Sequence, residues 1–530
     1  MKKLLALILA AAMLTGCGST STGEGTAAPA ELPAESAVTP DAQYDSRFGS
    51  ETKIVLSDSG ILVNGGEETE TVYTSRDIIY YEDRDAYESG NPYGEGEVWE
   101  RHSTEEAAAH TVVNITAPGA YRVSGKLAAG QIRVDLGEDA YEDPNAVVEL
   151  ILQDADITCT VAPVILFLNT YECDGDWSAE TASPNVDTAA AGANLILEGE
   201  NILNGSHVAR IFKDKDGEKK LWKQDGAIYS YMSMNVSGSG SLNLTADNEG
   251  LGTELHLTIN GGNIRIDSGN DGINTNEDGV SVTTIHDGKI QINAGLGAEG
   301  DGIDSNGFLV INGGTVISAA KPVSDAGLDS DLGSFINGGT VIALGSVMDW
   351  AESEYEQVTM NLQFAELQEA GTPIEVRDLQ DHVVFSWNPE YVEGLTRGFQ
   401  GVILSTPDLK HGEAYHIYVG GAQLQYTGSD VGFGSPGMGG RPGGEPGEIP
   451  EGMPFPKGDR PEGMPFPGGE KPEDFDPSEM GPPPGYFPGS EFGGRVPEPQ
   501  EAPTAGNPRT EFYMADMVNC FSGLSPAETR

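Results

Sequence analysis

Four short segments, INGGNIRI from Ile259, IHDGKIQI from Ile285, INGGTVIS from Ile311 and INGGTVIA from Ile336, begin 26, 26 and 25 residues apart. A period of this length confines the chain to a repeat architecture, because each unit is too short to bury an apolar face alone and must stack on its neighbours. Leucine-rich repeats share the period, but their Leu-rich consensus and helical return are missing. A row of hairpins is the competing solution, since strand, Asn-Gly-Gly, strand is also a hairpin signal. What lies between the Gly-Gly strands separates the two. NEGLGTE from Asn248, NDGINTN from Asn270, GDGIDSN from Gly300 and DAGLDSD from Asp325 recur in step with them. Two registered elements per period predict several short strands per turn, each stacked on its counterpart, and so a parallel β-helix.

Aligned on Gly250, Gly272, Gly302 and Gly327, the second element gives one inward apolar column of Leu251, Ile273, Ile303 and Leu328. Alternation with period two turns the flanking positions outward. The outward columns are Gly252, Asn274, Asp304 and Asp329; Glu254, Asn276, Asn306 and Asp331; and one that begins Glu249, Asp271, Asp301. An EF-hand would account for the oxygens of SGNDGINTNEDG, residues 268–279, but Ile285 stands where a bidentate Glu is required and neither flank is helical.

Stacked strands bring equivalent residues to roughly 4.8 Å. At that separation a pair of like charges costs about 3 kcal/mol at an effective dielectric of 20. A bound cation reverses the sign. An irregular all-oxygen cage suits calcium, and the scarcity of Cys and His argues against zinc or copper. The candidate ligands are Asp271, Asn274, Asn276, Asp301, Asp304, Asn306, Asp325, Asp329 and Asp331. The metal-free alternative is that such Asn and Asp side chains cap turns and stabilise left-handed backbone.

The 83 acidic against 29 basic residues, a formal charge of −54, exclude unaided binding to nucleic acid or an anionic membrane and make a metal ion the natural complement. The start, MKKLLALILAAAMLTGC, has the form of a bacterial lipoprotein signal, with residues 1–16 removed and Cys17 lipidated. The expected location is outside the cell, held to the membrane by the lipid alone. Residues 17–50 read as a flexible tether, 51–345 as the β-helix, 346–426 as a small antiparallel β cap over its open end, 427–508 as a disordered Gly/Pro-rich segment, and 509–530 as a returning strand and tail. The expected class is therefore all-β, and a monomer. Cys159, Cys173 and Cys520 remain; Cys159 with Cys173 is the candidate disulfide, three buried reduced thiols the alternative.

DGINTNEDGVSVTTI, GLGAEGDGIDSNGFLVINGGTVI and AGLDSDLG, with APGAYRVSGKL, DITCTVAPVILF and DGAIYSYMSMNVSGSGSL, resemble a family of exported bacterial carbohydrate-binding domain proteins. The likeness covers most of residues 52–426. It implies a right-handed parallel β-helix related in fold to pectate lyases, calcium-loaded coils, and binding of cell-wall polysaccharide, acidic pectin among the candidates.

An enzyme is the main alternative. Pectate lyases combine calcium with an Arg or Lys base; here Arg265 in NIRI and Lys289 in KIQI are expected at equivalent outward positions, as solvated surface charges. A polygalacturonase-like hydrolase needs paired carboxyls; NTN at Asn274 lacks the acid, leaving Asp301 with Asp304 as a residual pair. His256 and His286 read as structural or surface residues. The binding function leads, with a polyuronate such as polygalacturonate bridged by calcium. A neutral glycan would call on Trp350, Tyr355 or Trp387, for which core packing is the competing role. A structural adhesion protein is the third class.

Overall fold

Ile259, Ile285, Ile311 and Ile336 lie opposite one another, in register, on four neighbouring parallel strands. The computed structural model that shows this describes residues 46–82, 100–175, 178–209, 211–213, 219–221, 223–322, 324–346, 351, 356–388, 397–430 and 508–527. All of them belong to one compact unit, Asp41–Arg530. Cys17 and nearly all of the expected tether and Gly/Pro-rich segment lie outside the described residues, as do Trp350 and Tyr355.

The described structure is nearly all β, and each repeat gives one strand to each of three parallel stacks. The first stack runs Thr111–Ile115, Gly130–Asp135, Ile165–Asn169, Gly226–Ser230, Glu249–Thr253, Ile273–Thr275, Ile303–Ser305 and Leu328–Ser330. The second begins with Glu51–Ser57 on Gly119–Leu127 and ends with Leu257–Ile259, Val282–Ile285, Phe308–Ile311 and Gly333–Ile336. The third continues from Glu200–Gly205 through Ser241–Ala246, Asn263–Ser268, Lys289–Asn293, Thr315–Ala319 and Thr340–Gly345. Inward side chains of all three stacks, among them Ile273, Ile285 and Ile292, share one core and are fully buried. Burial of Val, Ile and Leu from three directions supplies the driving force that no single repeat could.

Simple alternation fails at the corner between the third and first stacks. Gly250, Gly272, Gly302 and Gly327 do not face outward there. A Cβ on Gly272 would lie 2.2 Å from Ile292 Cγ2, and one on Gly302 1.9 Å from Ser318 Oγ. The corner closes on the core only because these positions carry no side chain. The preceding residue is thereby left beside the outward face, which places Glu249, Asp271 and Asp301 there.

Two elements escaped the pattern. A six-residue helix, Thr104–Ala109, is opened by Ser103, whose side chain accepts from Glu106 N at 3.1 Å, and it inserts Ala107 into the core. It is too short for periodicity to reveal, although Ser103 and Glu106 have capping-box spacing. Residues 170–175 and 178–192 lie outside the three stacks and are pinned to them at both ends. The Glu172 carboxylate accepts from Ser233 N, Ser233 Oγ and Asp174 N at 2.7–2.9 Å, and Thr188 Oγ donates to Asn235 and Thr258.

Beyond Gly345, Phe399–Ser405 runs antiparallel to Thr340–Gly345 and to Thr359–Gln368. Val518–Pro526 then pairs parallel with Thr359–Gln368 and antiparallel with Gly428–Asp430, so the last described strand is built into this antiparallel region. Its apolar side chains, including Trp387, Phe399, Phe512 and Phe521, form a second core. Trp387 is a core residue, as the bland reading held.

The Cys159–Cys173 disulfide is a correction: neither residue, nor Cys520, is disulfide-bonded. Cys159 is packed in the main core, where burial pushes its thiol up to about 12, whereas Cys173 packs beside Glu172 and Ser233. The equivalence of Arg265 and Lys289 is a second. Arg265 pairs with Gln291, and Lys289 with Asn263, because the two motifs align through Ile264 and Ile290.

Candidate functional site

Glycine's freedom at the corner and the short parallel strands that follow it bring the predicted acidic columns together on the outward side of the first stack. Gly252, Asn274, Asp304 and Asp329 stand in register on successive strands. Beside them, backbone bonds from Gly250 N to Asp271 O and from Gly272 N to Asp301 O stack Glu249, Asp271 and Asp301. The third column follows at the strand ends, where Asn276, Asn306 and Asp331 donate their N–H groups to Thr253, Thr275 and Ser305.

Six of the nine candidates bond backbone groups through their side chains. Asp271 Oδ1 accepts from Asp301 N at 2.8 Å, Asp301 Oδ1 from Ala326 N, and Asp325 Oδ2 from Gly300 N at 3.1 Å. Each carboxylate thus commits one oxygen to the backbone of a neighbouring repeat, as the turn-capping alternative requires. Asn276 donates to Thr253 O at 3.3 Å and Asn306 to Asn276 O at 2.9 Å, an amide ladder that likewise staples repeats. Asp329 Oδ1 accepts from Ser330 N at 3.0 Å.

Asn274 is different. Its Nδ2 donates to Glu249 Oε1 at 3.0 Å and to Asp271 Oδ2 at 3.3 Å, which leaves Asn274 Oδ1 and Glu249 Oε2 buried without a hydrogen-bond partner. Glu249 is 2% exposed and Asn274 6%. Two acceptor oxygens withdrawn from water with nothing to donate to them are costly, and a bound cation would relieve both.

Charge accumulates around them. Burial, and then the neighbouring carboxylates, hold Asp304 at about 8; burial likewise raises Asp301 to about 8 and Asp271 to about 6, against partial relief from their backbone donors. Burial followed by Asp225 pushes Glu249 well above the usual carboxylate range. At one end a lysine intervenes. Lys223 Nζ pairs with Asp225, and although burial alone would lower its pKa, Asp225, Glu249 and Glu254 together raise it. Next to it the fully buried Tyr229 donates its hydroxyl to Glu254.

Lys223, Asp225, Tyr229 and Glu254 were not among the expected site residues. Tyr229 could have been found, since it occupies the register position before Gly252; Lys223 lies outside the repeats and carried no signal. Among the described residues no three His, Cys, Asp or Glu side chains are grouped to hold a metal ion by themselves. The donors that fit a cation are therefore mixed, the Glu249 carboxylate with the Asn274 amide oxygen, and Asp271 beside them.

The two residues considered as bases for eliminative cleavage do not stand on this face. Arg265 and Lys289 belong to the third stack, and Arg265 Nε donates to Asp267 at 3.1 Å. His256 is structural: Nδ1 accepts from Val282 N at 3.1 Å and Nε2 faces Asp174 at 3.0 Å.

Residues 109–361 match the model of a family described as carbohydrate-binding domain-containing protein. A carbohydrate-binding domain-containing protein of Acetivibrio thermocellus is 30% identical over 155 residues, which are 29% of this chain and 44% of that relative. The chain thus spans less than half the length of the relative it matches. A solved polysaccharide lyase-like protein from C. thermocellum, a gadolinium derivative, aligns over 55% of this chain and 93% of its own with 20% identity and a TM-score of 0.31.

Proposed function

We propose that this is a non-catalytic, cell-surface carbohydrate-binding protein that holds an acidic polysaccharide, polygalacturonate-like pectin being the leading candidate, in a calcium-dependent manner. The three parallel stacks are read as the faces of a right-handed parallel β-helix. The match of residues 109–361 to a carbohydrate-binding family supports the glycan. The observation that carries calcium is the pair of buried, unpartnered oxygens, Glu249 Oε2 and Asn274 Oδ1, set in registered columns of carboxylates. Glu249 and Asn274 would hold the ion, with Asp271 as the one neighbouring carboxylate. Calcium there supplies the positive charge that lets a polyanion approach a protein of formal charge −54.

This chain's own residues set the terms. Backbone amides of Asp301 and Ala326 orient the Asp271 and Asp301 carboxylates, and Asn274 fixes Glu249. Side chains held in this way lose little freedom on binding, which lowers its entropic cost. Anchorage outside the cell through Cys17 rests on the lipoprotein form of residues 1–17; labelling with radioactive palmitate, lost in Cys17→Ala, tests it.

The function is tested with the whole mature chain and de-esterified homogalacturonan, with calcium and with EDTA, by co-sedimentation and by absorbance of unsaturated products. Calcium-dependent pelleting without products is expected. Unsaturated products abolished by EDTA would make the protein a lyase, and no pelleting in calcium would leave adhesion as the better reading.

A further inference from the structure

We propose that Lys223 is a built-in counter-cation of the Glu249–Asn274 site, balancing its charge when no metal ion is bound and competing with calcium when calcium arrives. This role rests on the reading that the site takes a cation, and it identifies the residue that sets the site's affinity.

Backbone geometry brings Lys223 to the site. Ile211–Lys213 pairs antiparallel with Lys219–Leu221, and Val208 and Gln224 then bond each other's backbones at 2.9 and 3.1 Å. Lys223 thus stands at the root of an inserted hairpin, three residues before Gly226–Ser230 resumes the first stack. Gly226 lies opposite Glu249, and the Asp225 carbonyl accepts from Glu249 N and Asn248 Nδ2, both at 3.2 Å. The Asp225 side chain is buried and pairs with Lys223 Nζ at 2.5 Å. Asp225 therefore ties the lysine to the strand that sets Glu249.

The columns change character at this end. Farther along they carry acids and amides, Asn274, Asp304 and Asp329, whereas the preceding positions of the same column are Gly252 and Tyr229. A Cβ on Gly252 would lie 2.8 Å from the Tyr229 ring and 3.4 Å from Glu249 Oε2. The missing side chain lets the ring settle against the strand beside the unpartnered Glu249 oxygen. An acid is replaced by an aromatic ring here, and the protein adds a positive charge of its own.

That charge is fixed. Burial, which would lower the Lys223 pKa, is outweighed by Asp225, Glu249 and Glu254, so the ammonium stays protonated. Lys223 in turn offsets part of the rise that burial imposes on Glu249 and Asp271. A positive charge that steadies these carboxylates also opposes a divalent ion arriving beside them, since repulsion is strong where water is excluded. Yet Glu249 Oε2 and Asn274 Oδ1 keep no hydrogen-bond partner. Lys223 balances charge without bonding these two oxygens, which leaves them as ligands for which a metal ion must compete against the lysine.

Calcium binding by the whole mature chain is measured by chelator competition, with melting temperatures in EDTA and in calcium, for wild type, Lys223→Met, Lys223→Arg and Glu249→Gln. Lys223→Met is expected to bind calcium about tenfold more tightly than wild type, to melt lower in EDTA and to gain more from calcium. Lys223→Arg keeps the charge and should bind calcium as wild type does, while Glu249→Gln should lose the site. Lys223→Gln, which can still donate to Asp225, repeats the comparison should Lys223→Met fold poorly. A lysine that served packing or pairing alone would lower the melting temperature without raising calcium affinity; that result, or a gain shared by Lys223→Arg, would overturn the proposal and leave the cation site standing. Equal calcium binding by wild type and Glu249→Gln would overturn the site and this role of Lys223 with it. Calcium is the only probe, so failure to bind polysaccharide would not touch either result.

Discussion

Asp304 and Asp329 face outward in direct register on adjacent parallel strands. Burial and then neighbouring carboxylates, Asp329 among them, raise Asp304 to about 8. Asp304→Asn removes one like-charge pair worth up to about 3 kcal/mol. In EDTA at pH 8 the variant is expected to melt several degrees higher than wild type, and calcium to raise its melting temperature by less. Calorimetry with and without calcium checks both; a variant that melts lower in EDTA would show that Asp304 is held by donors rather than strained by repulsion.

Gly272→Ala tests the corner. A methyl group there would meet Ile292 Cγ2 at 2.2 Å and Gly302 O at 2.5 Å, one of them backbone that cannot retreat without disturbing the next repeat. Overpacking of this kind costs about 1–3 kcal/mol. Urea denaturation should show a lower midpoint with an unchanged slope. Gly137→Ala, where no atom lies within 4 Å of the added methyl but φ is 99°, separates backbone strain from crowding.

His207 supplies a pH signature away from the acidic columns. Burial alone would lower it, but Asp247 at 3.0 Å from Nδ1 and Glu100 at 3.1 Å from Nε2 outweigh that and raise it to about 10. A histidine whose folded pKa exceeds its unfolded value contributes stability that is complete below about 6.5 and is lost as pH rises through 10. The raised carboxylates Asp301 and Asp304 also lose stability with rising pH, but earlier, between about 4 and 8. Melting temperatures of wild type and His207→Gln should therefore converge between pH 8 and 10.5. A constant difference across that range would mean that His207 is not protonated in the fold.

The repeat was legible because it is written twice, once as INGG strands and once as the DGI element, and register follows from hydrophobic positions alone. Leu251, Ile273, Ile303 and Leu328 are paired as their spacing implied. The acidic columns followed from the same register. What periodicity could not supply is the direction of each side chain's hydrogen bonds, so the backbone-capping roles of Asp271, Asp301 and Asp325 were invisible. Nor could it place Lys223, which reaches the face from outside the repeats. The misalignment of Arg265 with Lys289 has a different cause: matching by charge slipped the motifs by two residues, a shift that keeps both outward and so violates no hydrophobic rule.

The antiparallel region makes the final prediction. Composition alone would end a stable fragment near residue 430, before the Gly/Pro-rich stretch. The structure moves that boundary, because Val518–Pro526 lies between Thr359–Gln368 and Gly428–Asp430, and Phe512, Phe521 and Leu524 are almost fully buried. Truncation after 430 strips two aromatic side chains from a cluster in which Tyr426, Phe512 and Phe521 stand with ring centroids 4.8–5.0 Å apart. Removing one such side chain costs about 3–5 kcal/mol, so losing several with a whole strand exceeds the stability of an ordinary domain, about 5–15 kcal/mol. The truncated chain is expected to expose Trp387, 5% exposed in the intact protein, and to show red-shifted tryptophan emission and rapid proteolysis within residues 356–430. Native-like emission and protease resistance would mean that the parallel stacks and the Phe399–Ser405 strand suffice to hold this region together without its last strand.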